Sequence, residues 1–212
     1  MAYTSTLQAE AAATIIGATH RATEEYLRER RVPSVLLRNG WYLENYTGQL
    51  PLFLRNGAVM GAVGQGRISA ASRADYAEAA AVTLTTEGHI GAVYELGGDE
   101  AFTPAELAAA ISAAAAKQVT YTDLPVGKLA QVLTDAGLPA ELADVLADAD
   151  LGLSRGEMFT GTGERRTYRV WVDRRRAVGR PCNRKKGLPV YIGIGTVVVI
   201  VIIVLVVLAL RR

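Results

Sequence analysis

Short apolar runs alternate with longer amphipathic stretches through residues 1–160. Met1–Thr6 has the aromatic and hydroxyl-rich make-up of a strand. The segment from His20 to Arg31 predicts a helix, with Glu24 and Glu25 ahead of Arg28, Arg30 and Arg31 as the macrodipole favours, and Pro33 stops it. Ser34–Leu37 reads as a short buried strand, ended by the polar turn Arg38-Asn39-Gly40. Residues 49–70 read as irregular and glycine-rich. Ser72 then predicts the cap of a helix over residues 73–86, with Asp75 as a partial capping box and Tyr76, Ala79, Ala80 and Leu84 as its apolar stripe. Ala92–Leu96 is a strand ending in Gly97-Gly98. Thr103-Pro104-Ala105-Glu106 is a full capping box, with proline at the first helical position of a helix running to Ala116. A strand over Gln118–Tyr121 follows, then helices over Val126–Ala136 and Ala140–Ala149 around Gly137 and Pro139. This alternation predicts an α/β fold with a mainly parallel sheet.

Charge divides the chain in two. Of its 212 residues, 1–164 hold 11 basic and 20 acidic side chains, a net −9. Residues 165–212 hold 12 basic side chains and one acid, Asp173, a net +11. An acidic body argues against nucleic acid as a partner, because neutralising phosphates needs clustered Lys and Arg. No charge occurs between Gly187 and Leu210, and Val197–Leu210 is almost all Val, Ile and Leu. A run of about 20 apolar residues predicts a transmembrane helix, here at 187–210. The basic residues of the 161–186 linker put residues 1–186 on the cytoplasmic side, against anionic headgroups. The N-terminus lacks the pattern of a signal peptide. Arg, Gly, Pro and Val dominate the linker, which is also what an out-of-frame reading of a GC-rich gene yields; on that alternative the body is cytoplasmic. One cysteine, Cys182, allows no internal disulfide, and with two histidines it leaves no His/Cys metal cage.

The glycine-rich stretch GAVMGAVGQG, Gly57–Gly66, lacks the spacing and the following helix that a dinucleotide-binding turn requires, and reads as a surface hairpin or lid. LLRNGWYLENY, Leu36–Tyr46, is more informative. It places Arg38 and Asn39 at a strand end, where open α/β sheets bind ligands, followed at once by Trp41, Tyr42 and Tyr46, a floor suited to a flat ring or to a packed loop. His20 and Glu24, four residues apart, share one helical face. Arg73 at a helix N-terminus opposes the macrodipole, so it serves an anion or pairs with an acid such as Asp75. His89 sits in an exposed turn. No Ser/His/Asp set is visible, and no catalytic residue is singled out.

AYTST (2–6), HRATEEYL (20–27), VLLRNGWYLENY (35–46), GQGRISAASRADYAEAAA (64–81), GAVYELGGDEAFTPAELAAAIS (91–112), KQVTYTDLP (117–125) and GLPAELADVLADADLGLSRGEMF (137–159) together resemble the NmrA-like NAD(P)H:quinone oxidoreductases, atypical short-chain dehydrogenase/reductase relatives. The resemblance implies an NmrA-like domain over residues 1–160, comprising the C-terminal part of a Rossmann-type parallel sheet and a small α/β lobe. It implies hydride transfer from NADPH to a quinone without a Tyr-x-x-x-Lys pair. It places Tyr3, Thr4, Ser5, Leu37, Arg38, Asn39, Gly40 and Arg73 on the cofactor side, and Trp41, Tyr42 and Tyr46 on the quinone side. The glycine fingerprint of the family is absent from this chain, which implies impaired activity. The alternatives are a non-catalytic, membrane-anchored remnant or redox sensor, and an incomplete gene model.

Overall fold

The computed structural model describes residues 1–161. Five strands and seven helices alternate: β1 (Ala2–Thr6), α1 (Ile15–Glu29), β2 (Val35–Asn39), α2 (Glu44–Thr47), α3 (Leu50–Asn56), β3 (Ala58–Gly61), α4 (Arg73–Thr85), β4 (Val93–Leu96), α5 (Pro104–Ala115), β5 (Thr120–Asp123), α6 (Val126–Asp135) and α7 (Ala140–Ser154). All strand pairs among the described residues are parallel, as predicted, but they form two sheets, ordered β1-β2-β4 and β3-β5.

In the larger sheet the register aligns Ser5 with Arg38 and Arg38 with Glu95. Side chains alternate across a pleat, so these three share one face, which α1 covers. Val35, Leu37 and Leu96 point to the other face and pack on Tyr76 and Ala79 of α4. The smaller sheet belongs to a second core, built from Leu50 and Phe53 of α3, Val59 of β3, Leu107, Ala108 and Ile111 of α5, and Val119. Helices α6 and α7 close this lobe, with Leu129 and Ala147 packed on Ala62.

Several elements differ from the sequence expectation. Helix α1 starts earlier, because Thr14 caps it by accepting the Gly17 N–H. Strand β2 does not turn at Arg38 but runs through Asn39, since Arg38 is neutralised within the sheet. The segment read as irregular holds α3 and β3, and the glycine-rich stretch read as a hairpin or lid opens with β3, paired in parallel with β5, and continues as a loop. In α4, Thr83 rather than Leu84 faces inward; Leu84 is exposed. The capping boxes at Ser72/Asp75 and Thr103/Glu106 both form in full.

The membrane-spanning part of the expected fold class is corrected. Among the described residues no helix is long and apolar enough to cross a membrane. The span expected at 187–210, the basic linker and Cys182 lie outside the described residues. The described residues form an α/β, Rossmann-like architecture with no membrane-spanning helix among them, and the expected single-pass placement finds no support there.

Candidate functional site

The carboxyl ends of β1, β2 and β4 meet at Thr6, Asn39 and Leu96, which lie side by side in register. Beyond them the backbone is tightly fixed. Leu7 donates its N–H to the Asn39 carbonyl, and Gly40 donates to the Leu96 carbonyl at 2.7 Å. A Cβ at Gly40 would fall 2.8 Å from the Ser69 carbonyl oxygen and 3.0 Å from the Tyr76 hydroxyl, so only glycine fits the turn out of β2. Asn39 itself is buried, and its amide oxygen Oδ1 has no hydrogen-bond partner among the described residues. A buried polar atom without a partner costs about 1–3 kcal/mol, so the orphaned amide calls for a reason at this edge of the sheet.

Beneath this edge lies an ion cluster. The Arg38 guanidinium donates from Nε to Glu24 Oε1 at 2.9 Å and from Nη2 to Glu24 Oε2. It also reaches Glu95 Oε1 at 2.9 Å and Glu10 Oε1 at 3.0 Å. Ser5 adds its hydroxyl to Glu24 at 2.6 Å. Burial pushes the Glu24 carboxyl up, but the bonds from Arg38 and Ser5 outweigh it and hold the group below the usual carboxylate range. The same bonds, that to Glu24 foremost, raise Arg38 above its ordinary value against the cost of burial. Glu95 also accepts the Gln8 N–H at 2.9 Å, and the Gln8 amide donates to the carbonyls of Gly156 and Phe159. The cluster thus ties the loop after β1 to α1, β4 and the end of the body.

The predicted residues fall into separate roles. Tyr3 bonds through its hydroxyl to His20 Nδ1 at 2.8 Å, and Thr4 is exposed. Ser5 and Arg38 are spent on the ion cluster, and Leu37 is core. His20 and Glu24 do share a face, directed at β1. Burial lowers the His20 pKa against the pull of Glu24. Arg73 pairs with no acid in the described residues; its guanidinium lies 5.1 Å over the Tyr42 ring. The N-terminus of α4 is met by Glu44, which accepts the Arg73 N–H.

The aromatics divide. Tyr42 packs edge-on against Tyr76 at 5.4 Å, on the α4 side. Trp41 and Tyr46 pack against the cluster of Leu7, Val63, Ile68, Ala70, Leu153 and Met158 between the two sheets, with Tyr46 edge-on to Phe102 at 5.9 Å. Trp41 Nε1 is buried and, like Asn39 Oδ1, without a hydrogen-bond partner among the described residues. His89 is half-buried rather than exposed, bonded to Thr86 and Tyr94.

The glycine-rich stretch offers nothing to a phosphate. The Ala62 N–H is taken by Asp150 at 2.8 Å, the Val63 N–H by the Tyr121 hydroxyl at 2.9 Å, and the Gly64 N–H by Asp123 at 2.8 Å. Acidic groups already fill the positions an anion would need. Asp123 and Asp150 are absent from the sequence-predicted set. For Asp150 the signal was an acid inside an apolar helical stripe, three residues from buried Ala147 and from buried Leu153; Asp123, at the end of β5, carried none. Among the described residues no group of His, Cys, Asp and Glu is arranged to hold a metal ion.

No family model matches the chain. It is 46% identical over 159 residues to quinone oxidoreductase 2 of Escherichia coli, an alignment covering 75% of this chain and 56% of that protein. Among solved structures, the NADPH-dependent quinone oxidoreductase of E. coli complexed with NADPH superposes with a TM-score of 0.74 at 45% identity, over 76% of this chain and 57% of that one. The triphenylmethane reductase of Citrobacter sp. complexed with NADP(H) gives 0.70 at 29% identity, over 76% and 57%. The chain spans little more than half the length of these relatives. Over that span it is a close homologue of E. coli quinone oxidoreductase 2, with the NmrA-like, atypical short-chain dehydrogenase/reductase fold.

Proposed function

We propose that this chain contributes the nicotinamide end and the acceptor side of an NADPH-dependent quinone reductase. The observation that carries the reading is the orphaned Asn39 amide at the carboxyl edge of the sheet, in a chain 46% identical to a quinone oxidoreductase. On this reading Asn39 and Gly40 line the nicotinamide. The strand residues Tyr3, Thr4, Ser5, Leu37 and Arg38 form the ground beneath it. Arg73 borders the crevice, and Trp41, Tyr42 and Tyr46 form the side that takes the quinone. NADPH, when bound, supplies the hydride. The residues of this chain orient the two flat rings and exclude water; a quinone accepts hydride readily, so positioning is the main demand on the protein. The pyrophosphate is not assigned to the glycine-rich stretch, where the N–H groups of Ala62, Val63 and Gly64 are already taken.

The test is a fluorescence titration of NADPH against the purified chain, followed by quinone turnover. Saturable binding that Asn39→Ala and Arg73→Ala each weaken by about tenfold, the equivalent of one lost hydrogen bond or cation contact, supports the assignment. A folded sample that binds no NADPH up to millimolar concentration overturns it.

A further inference from the structure

The face of the larger sheet that α1 covers is closed at its carboxyl end by the ion cluster and left open at its amino end. There Leu36 of β2 and Val93 of β4 stand side by side in register, on the same face as Arg38 and Glu95. Leu36 is buried, but Val93 is 44% exposed and Ile90, just before β4, is 65% exposed. Between the end of α1 and the start of β4 lies a cleft of about 310 Å³, lined by Leu27, Leu36, Ile90 and Val93 and by Arg28 and Arg31. That volume is at the lower end of the range for small-molecule sites. Four residue rises along β2, roughly 13 Å, separate it from Asn39. Glu24 lies at its inner end and is already held by Arg38 and Ser5.

Neither Arg28 nor Arg31 makes an ion pair among the described residues. The macrodipole accounts for Arg28, in the last turn of α1. It does not account for Arg31. Helix α1 ends in a Schellman turn, in which the Arg31 N–H donates to the Arg28 carbonyl and the Val32 N–H to the Leu27 carbonyl, both at 3.0 Å. The residue after the cap of such a turn is left-handed and is usually glycine; here it is Arg31, at φ 51°. A side chain kept where the backbone disfavours it points to a use for that side chain. Leu27 and Val32, the apolar pair that the turn brings together, both line the cleft.

We infer that this cleft binds a small amphiphilic anion, an apolar ring system seated on Leu36, Ile90 and Val93 with its carboxylate or sulfonate held by Arg28 and Arg31. Charge complementarity selects the anion, since two guanidinium groups without acid partners border the cleft and their forked donors match a planar or trigonal set of oxygens. The apolar floor selects the body. A bare inorganic anion would leave Ile90 and Val93 in water, whereas a ring laid on them removes apolar surface from it. Such a site is independent of quinone reduction, because it lies at the opposite end of the strands from Asn39 and Gly40.

Fluorescence titration of the full chain with anilinonaphthalene sulfonate, beside its uncharged parent phenylnaphthylamine, tests this. The sulfonate probe is expected to bind saturably, one per chain. Arg28→Gln/Arg31→Gln is expected to weaken it about tenfold, as two exposed ion contacts allow, and to leave the uncharged probe unchanged. Arg31→Gly separates binding from folding. It is expected to hold or raise Tm, because glycine suits the left-handed position, while weakening the sulfonate probe about threefold; Arg31→Lys, which keeps the charge, is expected to bind within about twofold of wild type. Sulfonate affinity unchanged in Arg28→Gln/Arg31→Gln, an equal loss for the uncharged probe, or an Arg31→Gly chain that loses Tm and keeps its affinity overturns the inference. A dimer in sedimentation that Val93→Glu separates assigns the cleft to a second copy and overturns it as well.

Discussion

Replacing Glu24 by Gln strikes the most buried part of the ion cluster. The Glu24 side chain is 1% exposed and the Arg38 side chain 6%, so both charges are out of water and each depends on the other. Losing one partner of such a pair costs about 3–5 kcal/mol, mostly because the remaining charge stays buried. Here the loss is partly offset. Arg38 keeps Glu95 at 2.9 Å and Glu10 at 3.0 Å, and Gln retains one acceptor oxygen. Against that, one of the two Arg38 bonds and the full charge are gone, and the Ser5 hydroxyl donates to a weaker acceptor. The balance is about 3 kcal/mol. For a domain of this size that corresponds to about 6–12 °C in Tm. The pH dependence gives a second check. The folded-state pKa of Glu24 is depressed, so its contribution is present above the unfolded value, near 4, and is lost as pH falls through the folded one. The gap between wild type and Glu24→Gln should therefore be full at pH 7 and shrink in acid. Thermal unfolding followed by far-UV circular dichroism at pH 7 and at about pH 3 reads both quantities. Glu10→Gln serves as the control: with that side chain 69% exposed, its loss should cost less than about 1 kcal/mol. A Glu24→Gln penalty no larger than that of Glu10→Gln, or one indifferent to pH, would refute the claim that this cluster holds the strand ends in place.

Other outcomes follow from the same structure. The Asp150 pKa, raised to about 6, means the folded state holds this proton more tightly than the unfolded chain does. Stability should therefore decline as pH rises from about 4 to 6, by about 2–3 kcal/mol, and Asp150→Asn should remove that decline in denaturant titrations at the two ends. Gly98→Ala would press a methyl group onto the Ala70 carbonyl, where the segment after Ile68 meets the end of β4; a loss of about 1–3 kcal/mol is expected by the same titration. Thr103→Ala should cost about 1 kcal/mol, since Thr103 accepts the Glu106 N–H while Glu106 accepts the Thr103 N–H.

The sequence by itself determined the local structure wherever the cause is local. Strand and helix alternation, the capping boxes at Ser72 and Thr103 and the proline at the first turn of α5 were legible because caps and periodicity depend on neighbours three or four residues away. The kinship was legible because LRNGWYLENY and SRADYAEAAA are specific strings. What the tertiary structure decided is what distant residues do to one another. Arg38 reads as the start of a polar turn until Glu24, Glu95 and Glu10, separated from it by 14, 57 and 28 residues, close around it; a charge can lie inside a sheet only when opposite charges from other elements pay for its desolvation. Asp123 and Asp150 look like surface acids in an acidic body until parallel pairing of β3 with β5, and the packing of α7 beside them, bring the two carboxylates to the backbone of a glycine-rich loop. The aromatics after Asn39 look like one floor until they separate, Tyr42 toward α4 and Trp41 with Tyr46 into the seam between the sheets. No local pattern encodes such pairings, because the free energy that selects them comes from removing charge and apolar surface from water across the whole fold, and that sum exists only once the elements have packed.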